Sequence, residues 1–100
     1  MFVMQVQYTV RPEFAPRNQH NITRVMEEVR NVNPSGFRYS VFLKEDGKTF
    51  VHLVMGSEEN KHLPSSLPAF QEFQKELLAS DLEIRPEFSE MTLVGSSSDL

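Results

Sequence analysis

Phe2, Met4, Val6, Tyr8 and Val10 alternate with Val3, Gln5, Gln7 and Thr9, so one face of the first segment is apolar and the other mixed. That period of two, with β-branched and aromatic side chains, predicts a strand. Arg11-Pro12 closes it, because proline cannot donate to a sheet ladder. The period then changes. Ile22, Val25, Met26, Val29 and Val32 form one stripe at helical spacing. With Pro16 in its first turn and Asn33-Pro34-Ser35-Gly36 as its stop, a helix is predicted over 15–32. Two strands follow, Phe37 to Lys44 and Lys48 to Met55, joined by a tight turn at Glu45-Asp46-Gly47. A polar stretch over 57–66 leads to a second helical stripe of Leu63, Leu67, Phe70, Phe73 and Leu77. Ser66 is its expected cap, Pro68 lies in its first turn, and it ends near Ser80-Asp81. Pro86 precedes a last predicted strand, Phe88 to Val94.

The order β-α-β-β-α-β predicts an α+β fold of the ferredoxin-like kind. Four antiparallel strands carry two helices on one face, and the first and third strands are central. Residues 1–95 are expected to make one domain and 96–100 a flexible C-terminal tail.

Alternation also assigns the sheet faces. Phe2, Met4, Val6, Tyr8, Tyr39, Val41, Leu43, Val51, Leu53, Met55, Met91 and Leu93 are expected to face the helices. Val3, Gln5, Gln7, Arg38, Phe42, Phe50, His52, Val54, Phe88, Glu90, Thr92 and Val94 would then lie on the open face. A face with that much apolar surface calls for a partner, and two copies stacked sheet to sheet are the expected remedy, a homodimer. Arg38 and Glu90 would pair within that interface or reach solvent at its rim.

Composition narrows the function classes. The 100 residues carry a net charge of -4, which argues against a nucleic-acid surface. There is no cysteine, so disulfides, thiolate metal sites and a cysteine nucleophile are excluded. The three histidines show no metal-ligand spacing, and four glycines are too few for a phosphate-cradling loop. No cofactor and no metal are therefore expected. The first residues lack a basic region followed by an apolar run, and no stretch approaches a membrane span, so a cytoplasmic location with no membrane partner is expected.

The strand Phe2–Val10 with its Arg-Pro-Glu end, the hairpin from Gly36-Phe-Arg-Tyr-Ser-Val-Phe42 to Thr49-Phe-Val-His-Leu-Val54, and Leu67-Pro-Ala-Phe-Gln-Glu-Phe73 together resemble the antibiotic-biosynthesis-monooxygenase-like superfamily. The resemblance covers nearly the whole chain and lies in packing patterns. It implies a dimeric α/β barrel and, as one activity, cofactor-independent oxidation of a small aromatic or phenolic substrate. That chemistry needs a dry pocket with polar groups that orient or deprotonate the substrate. Members commonly use a tryptophan with Asn, Tyr, Arg or His, and this chain has no tryptophan. The candidate polar groups are His52, Tyr8, Tyr39 and Arg38. A non-catalytic small-molecule-binding or structural homodimer is the alternative, and haem degradation the third.

Each candidate also has a plain structural reading. His52 would be a hydrogen-bonded interior histidine in the dimer interface, Tyr8 and Tyr39 core tyrosines, and Arg38 half of a register-fixing pair. His62, before the second helix, lies near where haem-degrading relatives place an iron ligand, but also reads as an exposed loop residue. His20 falls on the polar side of the first helix.

Overall fold

The computed structural model describes residues 1–98. The strands are β1 (Phe2–Thr9), β2 (Arg38–Leu43), β3 (Thr49–Gly56) and β4 (Ile84–Glu90), and the helices are α1 (Ala15–Val32) and α2 (Pro68–Ala79). The chain thus follows βαββαβ order, with sheet order β2-β3-β1-β4 and every pairing antiparallel. The central strands are the first and third, as the pattern predicts.

α1 spans the predicted residues. Its C-terminus closes on Asn33, which takes a left-handed conformation (φ 51°) and donates its N–H to the Val29 carbonyl at 3.0 Å. Pro34 then prevents continuation. The helices bury Ala15 and Val25 of α1, and Ala69, Phe73 and Leu77 of α2, against Tyr8 and Phe50 of the sheet and Val10 just after β1. Each large apolar side chain so enclosed contributes roughly 1.5–3 kcal/mol. Two asparagines, Asn18 and Asn21, share the buried face of α1.

The predicted Ser66 cap is corrected. The residue flanking α2 is Leu67, which supplies no side-chain cap, and Ser66 Oγ donates instead to the Leu63 carbonyl at 2.6 Å. The Ala69 N–H in the first turn of α2 donates to Glu28 Oε1 of α1 at 2.7 Å. A carboxylate from the neighbouring helix thus does the capping, in favourable alignment with the helix dipole.

The faces of β3 are also corrected. Val6 lies opposite His52, Tyr8 opposite Phe50 and Tyr39 opposite Val54. Opposed residues in an antiparallel pair share a face. Phe50, His52 and Val54 therefore turn toward the helices, and Val51, Leu53 and Met55 toward the open side. The hairpin explains this. A turn confined to Glu45-Asp46-Gly47 pairs Lys44 with Lys48. In the structure the Lys44 N–H donates to the Thr49 carbonyl at 2.8 Å, so Lys48 joins the loop and the register moves by one residue. Asp46 holds that longer loop: its Oδ1 accepts from the Lys48 and Thr49 N–H groups, each at 2.9 Å.

The last strand is shifted as well. β4 runs Ile84–Glu90 with Pro86 inside it. It is an edge strand, so proline there costs no ladder bond on its outer side, and the register with β1 slips between Gln7 and Thr9. Phe88 opposes Val6 and Glu90 opposes Met4, on the helix side rather than the open one. Phe88 stays largely exposed because it lies at the sheet edge. Met91, Thr92, Leu93 and Val94 fall outside the strand, although the Met91 N–H still donates to the Val3 carbonyl of β1 at 2.9 Å. The expected tail lies partly outside the described residues, at 99–100.

Candidate functional site

β1, β2 and β3 each deliver one side chain to a polar cluster under the helices. Tyr8 comes from β1, Tyr39 from β2 and His52 from β3. The Tyr8 hydroxyl lies 2.7 Å from His52 Nε2, and the Tyr39 hydroxyl 2.8 Å from His52 Nδ1. α1 adds a fourth member: Asn18 Nδ2 donates to the Tyr8 hydroxyl at 2.8 Å. The result is a continuous chain, Asn18–Tyr8–His52–Tyr39.

Aromatic rings wall it. Tyr8 stacks on Phe50 with centroids 5.7 Å apart, and His52 packs against Phe73 of α2 at 5.4 Å. Phe70 lies 5.5 Å beyond Phe73. Tyr8 is 1% exposed, His52 4% and Asn18 0%, whereas Tyr39 is only half-buried.

Burial governs the protonation states. Loss of solvent drives the His52 imidazole down from 6.5 to about 4, so the ring is neutral at pH 7. Burial raises both tyrosine hydroxyls, with the Asn18 hydrogen bond partly offsetting the rise at Tyr8. The cluster is therefore uncharged near neutrality, and it works through directed hydrogen bonds.

Three of the four predicted site residues meet here. Arg38 does not. It neighbours Tyr39 on β2, so it points to the other side of the sheet, and it is exposed. Its expected pairing with Glu90 fails too, because β2 and β4 are opposite edges of the sheet; Glu90 lies 3.8 Å from Lys61. His52 does not lie on the open face, so its structural reading as an interface residue is replaced by one under the helices. His62 and His20 are exposed and take no part in the chain.

Asn18 was not among the predicted residues. The available signal was its spacing: Asn18 and Asn21 continue the Val25 stripe at helical intervals, and a polar residue on a core stripe needs a partner. Asn21 has a separate role, donating to Glu76 Oε1 at 3.0 Å beside a two-bonded Arg17–Glu76 pair. Arg17 and Asn21 hold the Glu76 carboxyl down to about 2.

No three His, Asp or Glu side chains among the described residues are grouped to hold a metal ion. No helix among them is long and apolar enough to cross a membrane. Two surface recesses lie elsewhere: one along the hairpin tip, Leu43–Asp46, and one between Phe2, Lys61 and Met91.

The backbone arrangement matches solved structures along its whole length. An antibiotic biosynthesis monooxygenase superposes with a TM-score of 0.79 at 15% identity, covering 95% of this chain and 100% of that one. The chain has the antibiotic biosynthesis monooxygenase fold. Rv0793 from Mycobacterium tuberculosis shares this monooxygenase fold with a TM-score of 0.78 at 13% identity, over 97% of this chain and 98% of its own. A mutant of SnoaB, a cofactor-independent oxygenase from Streptomyces nogalater, shares it with a TM-score of 0.69 at 16% identity, over 98% and 97%. No family model and no curated protein matches the sequence. At these identities the likeness to the monooxygenase structures is one of fold.

Proposed function

We propose that the chain is a cofactor-independent oxygenase for a small phenolic aromatic, bound between sheet and helices with an oxygen on the Tyr39 hydroxyl. The supporting observation is the Asn18–Tyr8–His52–Tyr39 chain, walled by phenylalanines and ending at the Tyr39 hydroxyl. The shared fold includes a protein named as a cofactor-independent oxygenase.

In this chemistry the substrate is the reductant. An enolised anthrone gives an electron to O₂, the radical pair collapses to a hydroperoxide, and loss of water leaves a carbonyl. The ring CH₂ and O₂ thus become C=O and H₂O. The protein orients the substrate oxygen and keeps water away. His52, neutral and weakly basic in its dry site, serves as a hydrogen-bond partner that holds Tyr39 rather than as a strong base. Neither of those two surface recesses is lined by Tyr39 or His52.

The assembly belongs to the same reading. The open face presents Val51, Leu53, Met55 and Phe42, the last 57% exposed. Stacking two such faces would close a barrel and hide this surface.

Oxygen-electrode measurements with anthrone and with a dihydroquinone test the activity. Uptake above buffer, insensitive to chelator and reduced in His52→Ala, is expected. No uptake across the panel overturns the oxygenase reading. The second reading, a non-catalytic small-molecule-binding homodimer, is favoured by the enclosure of His52 and its depressed basicity. Ligand binding by a dimer without oxygen uptake would select it. The exposed position of His62 favours no haem reading.

A further inference from the structure

The hydrogen-bonded chain has a direction. Asn18 presents Nδ2, a donor, to the Tyr8 oxygen. Tyr8 is buried, so its own O–H must find an acceptor, and His52 Nε2 at 2.7 Å is the one in reach. A neutral imidazole that accepts at Nε2 carries its proton on Nδ1. That proton is donated to the Tyr39 oxygen at 2.8 Å. The Tyr39 O–H is then left over. Among the described residues the Tyr39 hydroxyl touches no partner but His52, so this end of the chain carries an O–H with no acceptor of its own.

We propose that the site selects its ligand by an acceptor oxygen, a carbonyl or a phenolate, bound by the Tyr39 O–H, and that Asn18 is the positioning residue that sets this polarity. The inference rests on the reading that this cluster is the binding site. Turning the Asn18 amide over would reverse every bond: Nε2 would carry the proton, Tyr39 would donate inward to Nδ1, and only lone pairs would face outward. The two polarities choose different substrates. The proposed one takes an anthrone by its keto oxygen or a hydroquinone after ionisation, and also holds a quinone product by its carbonyl. The reverse polarity would take a neutral phenol as donor.

The full-length chain, labelled with ¹⁵N-histidine, reports the polarity directly by long-range proton–nitrogen correlation. Nδ1–H with a bare Nε2 at His52 is expected, and Nε2–H overturns the proposal. In Asn18→Leu, which cannot donate, the Nδ1–H preference should be lost; its persistence in a folded variant overturns the role of Asn18. Should that variant fail to fold, the wild-type measurement still decides the polarity. Binding is measured with 1,4-naphthoquinone, which accepts but cannot donate, against naphthalene; the chain has no cysteine to add to the quinone. Tyr39→Phe should weaken the quinone by about tenfold and leave naphthalene unchanged. Equal effects on both, or no quinone binding, overturn the ligand assignment. Oxygen uptake does not enter these measurements, so failure of the oxygenase reading and failure of this one are separately visible.

Discussion

Tyr8 and His52 stand 44 residues apart in sequence and 2.7 Å apart in space. Neither occupies the other's directly opposed register position: Val6 faces His52, and Tyr8 faces Phe50. The contact is diagonal across one face of the β1–β3 pair, within reach only of long side chains. It couples the fold of the sheet to the candidate chemistry, because any change in strand register separates the two groups.

Removing the Tyr8 hydroxyl should be costly. Tyr8→Phe leaves Asn18 Nδ2 without its acceptor and His52 Nε2 without its partner, both under the helices. Each orphaned buried group costs about 1–3 kcal/mol. Urea unfolding should show a lower midpoint with an unchanged slope. A midpoint equal to wild type would contradict the network.

Stability should depend on pH in a window set by His52. Its folded value of about 4 lies below the 6.5 of the free side chain. As pH falls from 6.5, the unfolded chain binds the proton first, so the folded state loses stability down to about 4 and little further from this group below that. The slope approaches ~1.4 kcal/mol per pH unit at most. His52→Gln, which does not titrate, should flatten it in denaturant titrations between those values.

Glu76 sets a second, lower window. Arg17 and Asn21 hold its carboxyl at about 2, below the ordinary 4.5. Its contribution is present above 4.5 and is lost as pH falls toward 2. Glu76→Gln should remove the acid-limb difference in thermal melts at these pH values, leaving the His52 window in place.

Glu28 should matter more than its surface position on α1 implies. Glu28→Ala frees the Ala69 N–H and the start of α2, with an expected loss of about 0.5–2 kcal/mol. Amide exchange should rise first at Ala69 and its neighbours. Uniform exchange along the chain would assign the effect elsewhere.

Phe42 tests the assembly. A charge at this exposed position on the open face should prevent two sheets from stacking. Phe42→Glu is expected to sediment as a monomer where the wild type sediments as a dimer. A monomeric wild type at micromolar concentration would defeat the sheet-to-sheet arrangement.

The legible part of this molecule was what periodicity encodes. Alternation from Phe2 to Thr9 and the stripe through Val25 and Val29 identified β1 and α1, and the order of elements identified the topology. Tyr8 and Tyr39 were placed on the helix side by the same alternation. β3 was different. Thr49-Phe-Val-His-Leu-Val-Met is apolar in both phases, so hydrophobicity cannot say which set faces inward. Only the length of the hairpin loop decides, and it depends on Asp46 binding the Lys48 and Thr49 N–H groups. Asn18 escaped for a related reason: its place on the core stripe says that it needs a partner, but that partner lies ten residues away on another element and nothing local names it. The start of β4 was missed because a proline inside a strand is tolerated only at an edge, and edges are a property of the assembled sheet.

The loop Glu45–Lys48 is far from the imidazole in chemistry but not in consequence. Deleting one of its residues would roll β3 half a turn about its axis, delivering His52 to the outer surface and Val51 to the interior beside Tyr8 and Tyr39. Evolutionary drift or engineering at this tip is therefore constrained in arithmetic more than in composition: substitutions that respect the count and spare Asp46 leave the interior intact, while a single insertion or deletion dismantles it without touching any residue inside.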